Sequence, residues 1–179
     1  ILNASGGRQR LTLGDGFLII NTAQNGSNRG ALQANSRWAA DLLAIVQARY
    51  NNARFEVFRV DPDEVPVLDT RTVIDGANLE VKWLPSLTTA VSYLEVPKST
   101  ASYFTPAGEP LPREGLEVLD LRARWQPRPA GESGPFLAGE VARQTHDDFP
   151  MEAWGYFGEV GYSFADVRTT PTVSYRYSR

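Results

Sequence analysis

Along most of this chain, apolar and polar residues alternate one by one, the period that puts neighbouring side chains on opposite faces of a β-strand. Residues 119–126 are the plainest case. Leu119, Leu121, Ala123 and Trp125 share one face; Asp120, Arg122, Arg124 and Gln126 share the other. Val173, Tyr175 and Tyr177 oppose Thr172, Ser174 and Arg176, and Leu79, Val81 and Trp83 oppose Asn78, Glu80 and Lys82. Over 154–164, Trp154, Tyr156, Gly158, Val160, Tyr162 and Phe164 face one way, and Gly155, Phe157, Glu159, Gly161 and Ser163 the other. The pattern predicts an all-β chain with strands at 6–20 (kinked at Gly14-Asp15-Gly16), 41–51, 53–60, 72–84, 87–97, 115–126, 135–146, 152–165 and 170–179. Long or polar links at 21–40, 61–71, 98–114 and 147–151 alternate with shorter ones at 51–52, 84–86, 127–134 and 166–169.

Residues 36–51 admit two readings. As a helix, Ser36 caps it, and Trp38, Leu42, Ile45 and Arg49 recur at helical spacing. As a strand, Leu42, Ala44, Val46, Ala48 and Tyr50 form an apolar face, but Leu43 and Ile45 then point the wrong way.

Composition removes other classes. The longest apolar stretches, 17–20 and 42–46, fall far short of the ~18 residues of a membrane-crossing helix. With 42% hydrophobic and 22% charged residues the chain is too apolar for a disordered one. A net charge of −3 argues against nucleic acid as a partner. The absence of cysteine excludes disulfides, thiolate metal sites and cysteine nucleophiles, and one histidine leaves no multi-histidine metal site. No metal and no cofactor is expected. The 179 residues fit one domain, and the alternation running to Arg179 reads as a larger domain truncated at both ends.

Two all-β architectures remain. A soluble sandwich packs its apolar faces inward, as a carbohydrate-binding module with aromatic faces would. A membrane barrel turns them to lipid, with aromatic girdles at both ends and polar groups toward the lumen. The aromatics favour the barrel. Trp83, Trp125, Tyr162 and Phe164 fall toward the short-turn ends, and Tyr103, Phe104 and Trp154 at or near the long-link ends. The opposite face mixes charged residues with Gly, Ala and Ser, as a crowded aqueous lumen does.

Particular segments are more specific. Gly7-Arg8-Gln9-Arg10-Leu11 running into Gly14-Asp15-Gly16, the run 153–166 (Ala-Trp-Gly-Tyr-Phe-Gly-Glu-Val-Gly-Tyr-Ser-Phe-Ala-Asp) and Ser174-Tyr175-Arg176-Tyr177 follow one another in an order that resembles the bacterial alginate-export family of outer-membrane barrels. Segments 115–124 and 137–144 fit the same succession. The resemblance implies an antiparallel transmembrane barrel of roughly eighteen strands, about nine of them here, in the bacterial outer membrane. It implies a porin-like, non-enzymatic channel that passes anionic polysaccharide or small anions. It also favours a loop followed by a strand over 36–51.

With the apolar face toward membrane lipid, the lumen receives Arg8, Arg10, Arg49, Arg54, Lys82, Arg122, Arg124 and Arg176, with Glu56, Glu80, Asp120, Glu140 and Glu159 as counter-charges. Cationic rings favour anions, and the planar arginine fork holds a carboxylate at two points. The competing role for each arginine is to pair with a lumen carboxylate and stiffen the wall. Glu140 and Glu159 on adjacent strands match a glycosidase pair only in residue type. His146 beside Asp147 and Asp148 reads as a solvated loop residue, and Asp61, Asp63 and Glu64 as a surface turn without the spacing of a calcium loop. Gly14-Asp15-Gly16 lacks the helix that a phosphate-binding loop requires.

Overall fold

The computed structural model describes residues 1–20, 22–23, 39–105, 107–128 and 131–179. Among them are eleven strands and no helix: β1 (Leu2–Gly7), β2 (Leu42–Tyr50), β3 (Ala53–Asp61), β4 (Val73–Leu84), β5 (Leu87–Lys98), β6 (Ser102–Phe104), β7 (Pro110–Pro112), β8 (Leu116–Trp125), β9 (Gly134–His146), β10 (Glu152–Ser163) and β11 (Thr172–Ser178). Nine form one antiparallel sheet in the order β1-β2-β3-β4-β5-β8-β9-β10-β11, and β6 and β7 make a small hairpin within the link from β5 to β8. The sheet is open, with β1 and β11 as its edges.

Eight of these nine strands lie where the alternation places them. The first does not. A strand over 6–20 is replaced by Leu2–Gly7, after which the chain leaves the sheet. Gly14 (φ 53°) and Gly16 (φ 80°) adopt left-handed backbone that breaks a ladder. Gly16 N–H donates to Leu13 O and Leu13 N–H to Ile19 O (2.9 Å each), which folds the segment back on itself. Over 36–51 the strand reading holds from Leu42 onward; Ser36 and Trp38 lie outside the described residues.

The two faces of the sheet differ sharply. One carries Val46, Phe55, Leu79, Leu119, Leu121, Leu137, Val160 and the aromatics Trp83, Trp125, Trp154, Tyr175 and Tyr177, all exposed. Among the described residues no second layer covers it. The other face is covered by residues 8–20, and Leu11, Leu13 and Ile19 pack there with Leu43, Ile45, Phe58, Val60, Leu94, Val96, Leu116 and Val118. Leu43 and Ile45, misfits in the strand reading, are 1% and 8% exposed because this strap gives them an apolar partner.

The strap also requires the sheet to curl. Phe17 packs on Phe157 of β10, seven strand steps from β1, a span of about 34 Å in a flat sheet. Ten residues separate Phe17 from Gly7, at most about 35 Å if fully extended. Folding back between Leu13 and Ile19 removes much of that reach, so the strap runs as a chord across a curved sheet.

Candidate functional site

The covered face is layered along the strands. At the long-link end it is apolar, the cluster just described. Next comes a band of buried and half-buried polar residues, one or two from each of six adjacent strands: Gln47, Glu56, Asn78, Ser92, Asp120, Arg122 and Glu140. Period-two alternation brings them to one face, and the antiparallel register aligns them: Gln47 opposite Glu56, Glu56 opposite Asn78, Asn78 opposite Ser92, Ser92 opposite Asp120, and Arg122 opposite Glu140.

The band is a hydrogen-bonded network. Gln47 Nε2 donates to Glu56 Oε1 (2.5 Å), and Asn78 Nδ2 donates to Glu56 Oε2 (2.7 Å). Asn78 Oδ1 accepts from Ser92 Oγ (3.0 Å) and Arg122 Nη2 (2.5 Å). Arg122 Nη1 meets Asp120 Oδ2 at 2.5 Å, with the two side chains 9% and 0% exposed. Glu140 lies within hydrogen-bonding reach of the Asp120 carboxyl, its oxygens are shut off from solvent, and no N–H or hydroxyl donates to them. Two buried carboxylates therefore flank one guanidinium.

The strap's turn sits on this network. A Cβ on Gly14 would lie 2.5 Å from Cδ of Arg122, so the turn touches the stem of that arginine. Asp15 reaches Arg124 at 3.7 Å. Phe17 packs on Phe157 with ring centroids 5.6 Å apart. Beside the turn, a cavity of about 230 Å³ is lined by Asp15, Glu80, Thr88, Arg122, Arg124 and Glu140.

Most of the expected lumen arginines are paired. Arg54 bonds Glu80 at 3.2 Å, and Arg176 holds Glu159 at 2.6 Å. Arg122 takes Asp120 on its own strand rather than a carboxylate of a neighbouring strand. Arg8 and Arg10 follow β1 on the strap and belong to no strand. Arg8 bridges Asp41 (2.5 Å) and Asp63 (2.6 Å) at the long-link end, and the hydrogen bond to Asp63 raises its pKa further, so it is charged at every accessible pH. Arg49 and Lys82 are exposed on the strap side, toward the short-turn end. Glu159 is held by Arg176, whereas Glu140 lies with Asp120 and Arg122. Among the described residues no cluster of three or more His, Asp or Glu side chains is arranged to hold a metal ion.

The expected girdle residues lie on or beside the exposed apolar face. Trp83 donates to Thr89 Oγ1 (2.8 Å), Trp125 stands opposite Leu87 and Leu137, and Tyr162 packs on Phe164 (4.7 Å). Trp154 lies at the other end, bonded to Glu152 and under Arg143. No known family model, curated protein or solved structure matches this chain.

His146 is not the solvated loop residue that its neighbours Asp147 and Asp148 suggest. It ends β9, is nearly buried, stacks on Phe149 (3.8 Å), accepts from Asp148 N–H at Nδ1 (3.1 Å) and lies 3.0 Å through Nε2 from Pro112 O. An acceptor at Nδ1 leaves Nε2 as the donor, so the imidazole pins the β7 link to the end of β9. Sequence reasoning also missed Asn78, the hub of the network, and Asp15. The signal for Asp15 was present in two glycines flanking a carboxylate where a strand was expected.

Proposed function

We propose that this chain is part of an outer-membrane β-barrel channel of the alginate-export type, through which anionic polysaccharide or small anions diffuse. The observation that carries this reading is the exposed face of the sheet. Its outward rows are apolar, end in aromatics on the short-turn side, and meet charged residues toward the other end. Arg59 pairs with Asp75 there (2.5 Å), and Arg143 with Glu152 (3.0 Å). From Asp75 to Trp83 the row spans about 27 Å of strand, or about 20 Å of height at a ~40° tilt, close to the ~25 Å apolar band of outer-membrane barrels. Backbone groups survive in lipid only in helices or closed barrels, so further strands on the β1 and β11 edges complete the wall in this reading.

Within the passage, Arg124 and Arg176 supply cationic character toward the short turns, while Arg122 is enclosed between Asp120 and Glu140 and stiffens the wall. Arg124, 43% exposed and loosely paired, is the one most available to a passing anion. The test has two parts. The intact protein should need detergent or lipid to fold and should migrate differently on gels with and without heating; a well-folded, detergent-free soluble protein refutes the barrel. In planar bilayers, Arg124→Glu should shift ion selectivity toward cations, and unchanged selectivity refutes the anion pathway.

A further inference from the structure

We infer that the strap of residues 8–20 is the constriction of the passage, and that its Asp15 is a tethered counter-anion which a passing carboxylate displaces from Arg124. This rests on the channel reading above and adds its regulation. A curved wall bridged by a chord has its free cross-section set by the chord, and this chord is built in rather than draped. Its root is fixed by three buried apolar side chains, Leu11, Leu13 and Ile19. Its fold-back is closed by the Leu13–Ile19 hydrogen bond and by Thr12 Oγ1 donating to Ile20 O (2.8 Å). Its far end rests on β10 through Phe17, which a Cβ on Gly155 would approach to 3.1 Å.

The tip is held differently. Gly14 fits over Arg122 because it has no side chain, and its left-handed φ suits it to that turn. The one ion pair of the tip among the described residues is Asp15 with Arg124, at 3.7 Å and with both side chains roughly 40% exposed, and the like charge of Glu140 nearby weakens the hold on Asp15. An ion pair so long and so well hydrated is weak. A soluble carboxylate offers the same group to the same guanidinium and competes once its concentration reaches the effective concentration of the tethered Asp15, of millimolar order. The adjoining 230 Å³ cavity holds the volume of about seven or eight waters, room for one small organic acid on the Arg124 and Thr88 side, away from Glu80 and Glu140, which line it too. The root stays packed while the tip exchanges one carboxylate for another.

The experiment uses the natural absence of cysteine. Phe17→Cys with Phe157→Cys, joined by a short reducible bis-methanethiosulfonate in the intact, detergent-folded protein, should cross-link efficiently. Cross-linking should fall in the presence of sodium glucuronate and not of glucose. Asp15→Asn, which leaves the packed core alone, should lower cross-linking and raise anion-over-cation permeability about twofold or more. Failure to cross-link in a protein that conducts overturns the strap's position and leaves the channel reading intact. Efficient cross-linking with conductance and selectivity indifferent to the cross-link and to Asp15→Asn overturns the constriction. Equal effects of glucose and glucuronate overturn the displacement by carboxylate. Cross-linking in a protein that never conducts overturns the channel reading, and the constriction with it.

Discussion

Arg122 offers the sharpest test of the buried network. Its guanidinium is 9% exposed, bonds Asp120 and Asn78 at 2.5 Å each, and stands opposite Glu140 in the register. Arg122→Met keeps the bulk of the stem but leaves Asp120 and Glu140, at 0% and 4% exposure, as adjacent buried carboxylates with no cation between them. Removing one member of a buried ion pair costs about 3–5 kcal/mol, and the second carboxylate places this change at the upper end. Asp120→Asn is different. Glu140 accepts no N–H or hydroxyl donor and stands opposite Arg122 in the register, so the guanidinium keeps a carboxylate beside it and the new amide can donate to Glu140; the loss is that of one charged hydrogen bond replaced by a neutral one, about 1–2 kcal/mol. The two variants should therefore differ by about 2–4 kcal/mol although both break the Arg122–Asp120 contact. Urea titration of the folded protein in lipid vesicles, followed by emission of its four tryptophans, reads this as a shift in midpoint at constant slope. Equal losses, or a larger loss for Asp120→Asn, would refute the assignment of Glu140 as the reserve partner.

Two further outcomes follow from the two faces. Gly76 of β4 lies under Phe58 and Leu94, both of which a Cβ would strike, so Gly76→Val should destabilise by about 1–3 kcal/mol in the same urea titration; no change would mean that this aromatic does not cover the strand backbone. Leu121 lies mid-row on the exposed face between Val91 and Val141, and Leu121→Arg should reduce the fraction folded into lipid vesicles, a loss of about 2–4 kcal/mol, as read by heat-modifiable gel mobility. Unimpaired insertion would show that this face does not meet hydrocarbon.

Much of this architecture is written in local order. A side chain's face on a strand depends only on the parity of its position, so eight of the nine sheet strands, their antiparallel succession and the sharing of a face by Leu121 and Trp125 and by Tyr175 and Tyr177 follow from alternation and turn residues, whereas the exposure of that face does not. The sharing of one face by Asp120, Arg122 and Arg124 follows in the same way. What parity cannot supply is the partner across the sheet or above it. Alternation in 8–20 looked like another strand because Leu11 and Leu13 are spaced as strand residues are; their apolar partners are Leu43 and Ile45, thirty residues on, and only the curled sheet brings the two pairs together. Arg122 is equally ambiguous in one dimension, since Asp120, Glu140 and Asn78 all lie within the reach of a long side chain. Burial decides among them, because an enclosed carboxylate without a cation is costly and an enclosed amide without a partner nearly so. The sequence by itself determined the strands and the two faces, through a rule of period two. The tertiary structure alone decided that one face is closed over by a strap and wired into a network, because those contacts join residues that no local period relates.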